Sequence, residues 1–254
     1  MKALQLIYIC ITSITLNAAC QKSMSPAGST GTLKITFTNV VKGNPVGLGS
    51  TMHTNPFGET YTITKLKYYI SNIRALFPGM TNAAEKESYH LVDQNNSASL
   101  SFSFPLQVNS YNVLEFLLGV DSLRNVSGAQ TGALDPLNDM FWTWNSGYIM
   151  AKMEAISPQS NQVNNKVEYH IGGFSGANSS LKYITLPMPG LSVINIREGK
   201  TTEVVIEADI DKWWQQPADI KITDIPVCNT PGALAKKIAD NYSDMFTIKS
   251  VTNY

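Results

Sequence analysis

The chain has 254 residues, 43% of them hydrophobic, with 19 basic and 19 acidic side chains and no formal net charge. That apolar content excludes a mainly disordered protein, and the length suits one large all-β domain or two small ones. Balanced charge, with no Lys/Arg run beyond Lys236–Lys237, removes nucleic acid and anionic membrane surfaces as partners.

The N-terminus carries Lys2, an apolar run from Ala3 to Ile14, and small residues ending at Cys20. This is the layout of an export signal, and the run is too short for an ordinary membrane span. Residues 1–19 are therefore read as a signal peptide. The small residues before Cys20 resemble a bacterial lipobox, with Asn17 where leucine is usual. Cys20 is accordingly the expected lipidation site, and the lipid anchor the only expected contact with membrane. Cys10 leaves with the signal and Cys20 is consumed, so Cys228 is the one mature thiol and no internal disulfide can form. A lone thiol of this kind is either buried and inert or a soft-metal ligand.

Residues 20–31 are short, polar and rich in Pro, Gly and Ser, as a tether would be, and residues 32–254 read as one domain. In Thr32–Val40, Leu33, Ile35 and Phe37 alternate with polar residues, the period of a half-buried strand. Lys42–Gly58 is a loop or broken hairpin. Tyr61–Phe77 is β-branched and aromatic on both parities, which suits a strand covered on both sides or kinked near Thr64–Lys65. Strands are expected at Tyr89–Val92, at Leu100–Phe104 with a stop at Pro105, and at Tyr111–Asp121. Met140–Glu154 reads as a single strand with Trp142, Trp144, Tyr148 and Met150 on one face. Further strands follow at Lys166–Ile171, Tyr183–Leu186, Val193–Ile196 and Thr201–Ile210. Pro231–Phe246 is the one helix, with Thr230 as cap and Pro231 in its first turn. The class is mainly β: an antiparallel β-sandwich with long loops and one C-terminal helix.

Common catalytic signatures are absent. The chain has three histidines, His53, His90 and His170. His170 shares parity with Lys166 and Glu168, so alternation turns it away from the core. Methionines, Met140 among them, add soft thioethers, and thioether with imidazole is a copper(I) donor set rather than one for calcium or magnesium. Methionine also simply fills cores. The indoles at Trp142 and Trp144 suit core packing, a platform for a sugar ring, or a redox or metal-lining role.

Seven ordered stretches resemble the MbnP-like family, exported copper-binding proteins named for a methanobactin-associated periplasmic member. They are LKYYISNIRAL (66–76), YHLVD (89–93), LLGVDSLRN (117–125), MFWTWNSGYIMAKME (140–154), YHIGGFSG (169–176), ADIDKWW (208–214) and KIADNYSDMF (237–246). The resemblance implies a β-rich, non-enzymatic copper-binding domain. It also implies a site tryptophan oxidised to kynurenine by a partner dihaem cytochrome c peroxidase-like protein of the MauG type. Carried over by position, the metal-site residues are His170, Trp144, Trp142 and His90, with Cys228 and Met140 as additional soft donors. The family places Met-His before the Thr-Pro-Gly turn where this chain has Cys228–Asn229. The implied location is the outer membrane of a Gram-negative bacterium, facing the periplasm or the cell surface. The rival reading is a metal-free surface module presenting an aromatic platform to glycan or peptide.

Overall fold

The structure is a computed structural model that describes residues 28–77, 82–128, 130–143 and 146–254. The export signal, Cys20 and Trp144 lie outside the described residues. In chain order the strands begin with β1 (Thr30–Val41), β2 (Asn44–Pro45), β3 (Met52–Thr54), β4 (Thr60–Leu76), β5 (Ala83–Ala84) and β6 (Tyr89–Asp93). They continue with β7 (Ser101–Gln107), β8 (Asn109–Tyr111) and β9 (Val113–Leu118), the short helix α1 (Ser122–Asn125), β10 (Phe141–Thr143) and β11 (Gly147–Ile156). The remainder is β12 (Lys166–Gly172), β13 (Lys182–Pro187), β14 (Ile194–Ile196), β15 (Thr201–Asp209), β16 (Val227–Cys228), helix α2 (Ala233–Tyr242) and β17 (Phe246–Asn253).

One sheet runs β17-β15-β1-β2, with β7 on β1. The other runs β13-β9-β4-β11-β12-β16, with β3, β5 and β6 also on β4 and β10 on β11. The mainly β class of the sequence reading holds. Among the described residues its pairing is antiparallel throughout except that β1 pairs with β15 and β12 with β16 in parallel. The core contains Leu33, Ile35 and Phe37 from one sheet and Leu66, Tyr68 and Tyr169 from the other, each 1% exposed or less. At about 1.5–3 kcal/mol per fully buried large apolar side chain, this layer is the main source of stability.

The double-parity pattern of β4 has a local cause. Glu154 pairs with Lys65 while Ala155 pairs with Ile63, so Thr64 is an extra residue, a bulge that reverses which parity faces inward. Tyr61 and Ile63 point into the core before it, Leu66, Tyr68 and Ile70 after it. The bulge therefore turns Lys65, Lys67 and Tyr69 to the outer side.

Four expectations need correction. Met140–Glu154 is a hairpin rather than one strand: β10 turns back on β11, pairing Phe141 with Tyr148 and Thr143 with Gly147. Gly147, where β11 begins, takes φ +71, a conformation that suits glycine at the end of a turn. β7 runs through Pro105 because it pairs only with β1, and an edge strand tolerates a residue without an N–H. Helix α2 starts after Gly232, with no side-chain cap from Thr230, and stops at Tyr242. Met245 follows it as a buried residue, and Phe246 opens β17 against β15.

Candidate functional site

His170 projects from β12 on the outer side of the large sheet, while Val167, Tyr169 and Ile171 alternate into the core. Its cross-strand neighbour on β11 is Lys152. Its Nε2 lies 3.0 Å from Glu154 Oε1, and its side chain is 18% exposed. Burial, with the Lys152 cation second, holds the imidazole below its ordinary pKa, against an upward pull from Glu154. The ring is therefore biased toward its neutral form, the one that can donate a lone pair to a metal ion.

Lys152 is only 2% exposed. A buried ammonium is costly unless paired. Here its Nζ donates to the backbone carbonyl of Asp139 and lies 2.9 Å from the Asp139 carboxylate. Lys65 joins the group, 3.1 Å from Asp139 and 3.4 Å from Glu154. Burial pushes the Asp139 carboxyl up, but Lys152 and Lys65 outweigh it and hold the group below the usual carboxylate range. Lys67 ties down the same loop by donating to the Asn138 carbonyl at 3.1 Å.

That loop leads into β10 and so positions the Trp142 hairpin. Tyr69 and Tyr148 donate from below to the carbonyls of Ala133 and Leu134, at 2.9 and 2.7 Å. From the side, Asn125 accepts the Tyr148 N–H at 2.8 Å and donates to the carbonyls of Val120 and Asp121. Trp142 is half-buried against a satellite cluster that includes Tyr69, Met140, Tyr148 and Met150. Its six-membered ring lies over the backbone of Gly172, where a Cβ would sit 2.5 Å from the ring. Gly172 and His170 are two apart on β12 and so share a face, which puts the indole and the imidazole on the same side of the sheet.

The other candidates separate from this corner. His90 lies on β6 opposite Ile70, on the core side of the sheet, while its neighbours Tyr89 and Leu91 pack with the outer cluster. It stacks on Phe102 with centroids 3.5 Å apart and meets Glu85 through Nε2 at 2.9 Å. Met140 is fully buried in the satellite cluster. Cys228 pairs with Tyr169 and faces the core, where burial pushes its thiol up to about 11. The next residue, exposed Asn229, follows the end of β16 where its partner strand β12 reaches His170. A cavity of about 260 Å³ adjoins this edge, lined in part by Ser146, Phe174, Asn178 and Pro231. Among the described residues, no three His, Cys, Asp or Glu side chains converge as a complete metal cage. Tyr148 is fully buried and cannot join a surface platform.

Sequence reasoning missed Lys152, Glu154, Asp139 and Gly172. The one signal for them was a lysine inside the apolar run Tyr148–Met153, where a charge needs a partner.

A family model described as MbnP matches residues 30–230. The chain belongs to the MbnP family. Among solved structures, MbnP from Methylosinus trichosporium superposes with a TM-score of 0.54 at 15% identity, covering 88% of this chain and 99% of that one. At that identity the likeness speaks for the fold. No curated protein matches the chain. The family match takes in β10, β11 and β12 and ends at Thr230, so the His170–Trp142 corner lies wholly within it.

Proposed function

We propose that this protein binds copper as an exported, non-enzymatic member of its family, held at the outer membrane through Cys20, with the His170–Trp142 corner as the metal site. The observation that carries the reading is a half-buried imidazole, biased toward its neutral form, on the same side of the sheet as a half-buried indole that rests two residues along the same strand. Copper(I) accepts few ligands and favours soft or imidazole donors, so a site with one imidazole and further donors from the neighbouring turn suits it better than a hard cation. The MbnP family match is consistent with a copper-related role outside the cytoplasm.

The reading extends to a partner. A dihaem cytochrome c peroxidase-like protein of the MauG type would oxidise a tryptophan of the hairpin to kynurenine, and Trp142 is a candidate for that change. Its half-exposed position leaves the ring within reach of an external oxidant. Intact mass of protein from its native host tests this part, because ring opening and copper each add a fixed and different mass.

Copper(I) titration against a competing chromogenic chelator tests the site. His170→Ala is expected to weaken binding by about tenfold or more, the usual cost of disturbing a ligand set. Unchanged stoichiometry and affinity in that variant would remove His170 from the site.

A further inference from the structure

We infer that Glu154 fixes the His170 imidazole with its proton on Nε2, so that Nδ1 is the atom offered to the metal ion. This rests on the copper reading for the identity of the ion, but not for the state of the ring. Nε2 lies 3.0 Å from Glu154 Oε1. A carboxylate oxygen accepts, so the nitrogen facing it carries the hydrogen. Glu154 sits one strand over and two positions along, diagonal to His170 in the β11–β12 ladder.

Glu154 is itself held in place. Its Oε1 lies 3.4 Å from Lys65 Nζ, and Lys65 is anchored at 3.1 Å on Asp139. One carboxylate oxygen, Oε1, thus meets both the imidazole and the anchored ammonium, which holds that acceptor in place. Nδ1 has no hydrogen-bond partner among the described residues, and it is not one of the sealed, unpartnered atoms. The nearest cation, Lys152, has only donors, and these are directed at Asp139. Nothing described around the ring accepts a proton from Nδ1, whereas Nε2 has such an acceptor.

Two consequences follow. The acceptor on Nε2 raises the basicity of the opposite nitrogen, which offsets the repulsion that Lys152 imposes on an incoming cation. The ring also enters the complex already oriented, so little freedom is lost when metal binds. Glu154 is a positioning residue: it acts on the metal only through His170.

The test starts from ¹⁵N-labelled apo-protein and needs no variant. Long-range ¹H–¹⁵N spectra at neutral pH should show His170 protonated on Nε2 and bare on Nδ1, and copper(I), which is diamagnetic, should move Nδ1 more than Nε2. Glu154→Ala should mix the two tautomers and weaken copper(I) binding by about tenfold, while Glu154→Gln, which keeps an acceptor oxygen, should restore both. A proton found on Nδ1 in the unmodified protein overturns the inference. So does a Glu154→Ala variant with unchanged tautomer and affinity. Protein with the Nε2–H tautomer that binds no copper overturns the copper reading and the donor role of Nδ1, and leaves only the Glu154 clamp standing.

Discussion

The two faces of the large sheet are built from opposite materials. Its inner side presents Leu66, Tyr68, Met153, Tyr169 and Ile171, each buried to 1% exposure or less. Its outer side presents Lys65, Lys67, Lys152, Glu154 and His170, joined by Asp139 from a covering loop. The inner side is held by transfer of apolar area out of water, which does not depend on direction. The outer side is held by hydrogen bonds and ion pairs, each of which depends on one partner standing at one distance. The same strands carry both, so stability and site geometry can be perturbed separately.

The sharpest break in that comparison comes from the inner side. Trp214 is fully buried, donates from Nε1 to the Tyr61 hydroxyl at 3.0 Å and packs on Tyr61 and Tyr169. Trp214→Ala is expected to cost about 3–5 kcal/mol in denaturant unfolding, from lost burial and an unfilled cavity. A loss below about 1 kcal/mol would mean that the region collapses to fill the space.

Gly172→Ala moves the test to the outer side. The new methyl cannot coexist with the Trp142 ring where it stands, and overpacking of this kind costs about 1–3 kcal/mol. Tryptophan emission should shift and copper(I) affinity should fall, with the far-ultraviolet dichroism retained. Unchanged emission would show that the indole does not rest on Gly172.

Asn229→His is a gain test. Exposed Asn229 follows Cys228, whose ladder partner Tyr169 precedes His170, so an imidazole at 229 is placed to add a second nitrogen donor. Copper(I) affinity should rise by about tenfold, read in the same chelator competition. Unaltered affinity would place Asn229 outside the site.

The smallest effect is in pH. Burial holds His53 below 6.5, and burial with Lys152 does the same for His170. Between those lowered values and 6.5 the unfolded chain binds more protons than the native one, so stability falls as pH drops through that window and levels off beneath it. The denaturation midpoint should be lower at pH 5.5 than at 7.5, and His53→Gln should reduce the difference. The carboxyl groups held low, Asp139, Asp121 and Glu59, act in a separate window below about pH 4.5.

How far the molecule was legible differs between the same two faces. Leu33, Ile35 and Phe37 in β1, and Val204, Ile206 and Ala208 in β15, mark their strands by alternation alone. The same alternation turns His170 outward. It misleads between Trp142 and Tyr148, where aromatic residues continue from β10 into β11 and the signal of reversal is Gly147 at φ +71. It also misleads at Met245–Phe246, where apolar residues at helical spacing belong to the entry into a strand. The outer network could not be read at all. Glu154 and His170 meet only through the β11–β12 register, and Lys65 joins them only because the extra residue at Thr64 turns it outward.

The parallel pairing of β1 with β15 joins Thr32 to Thr201 and every position between Leu33 and Val40 to its counterpart further on. The first strand to emerge from synthesis must therefore wait for one of the last before its sheet can close. Contacts this distant along the chain make folding slow, because a large loop has to be ordered before the reward arrives. A polypeptide that cannot finish folding until most of its length is available stays threadable during that delay, a property that would serve the export proposed for this chain.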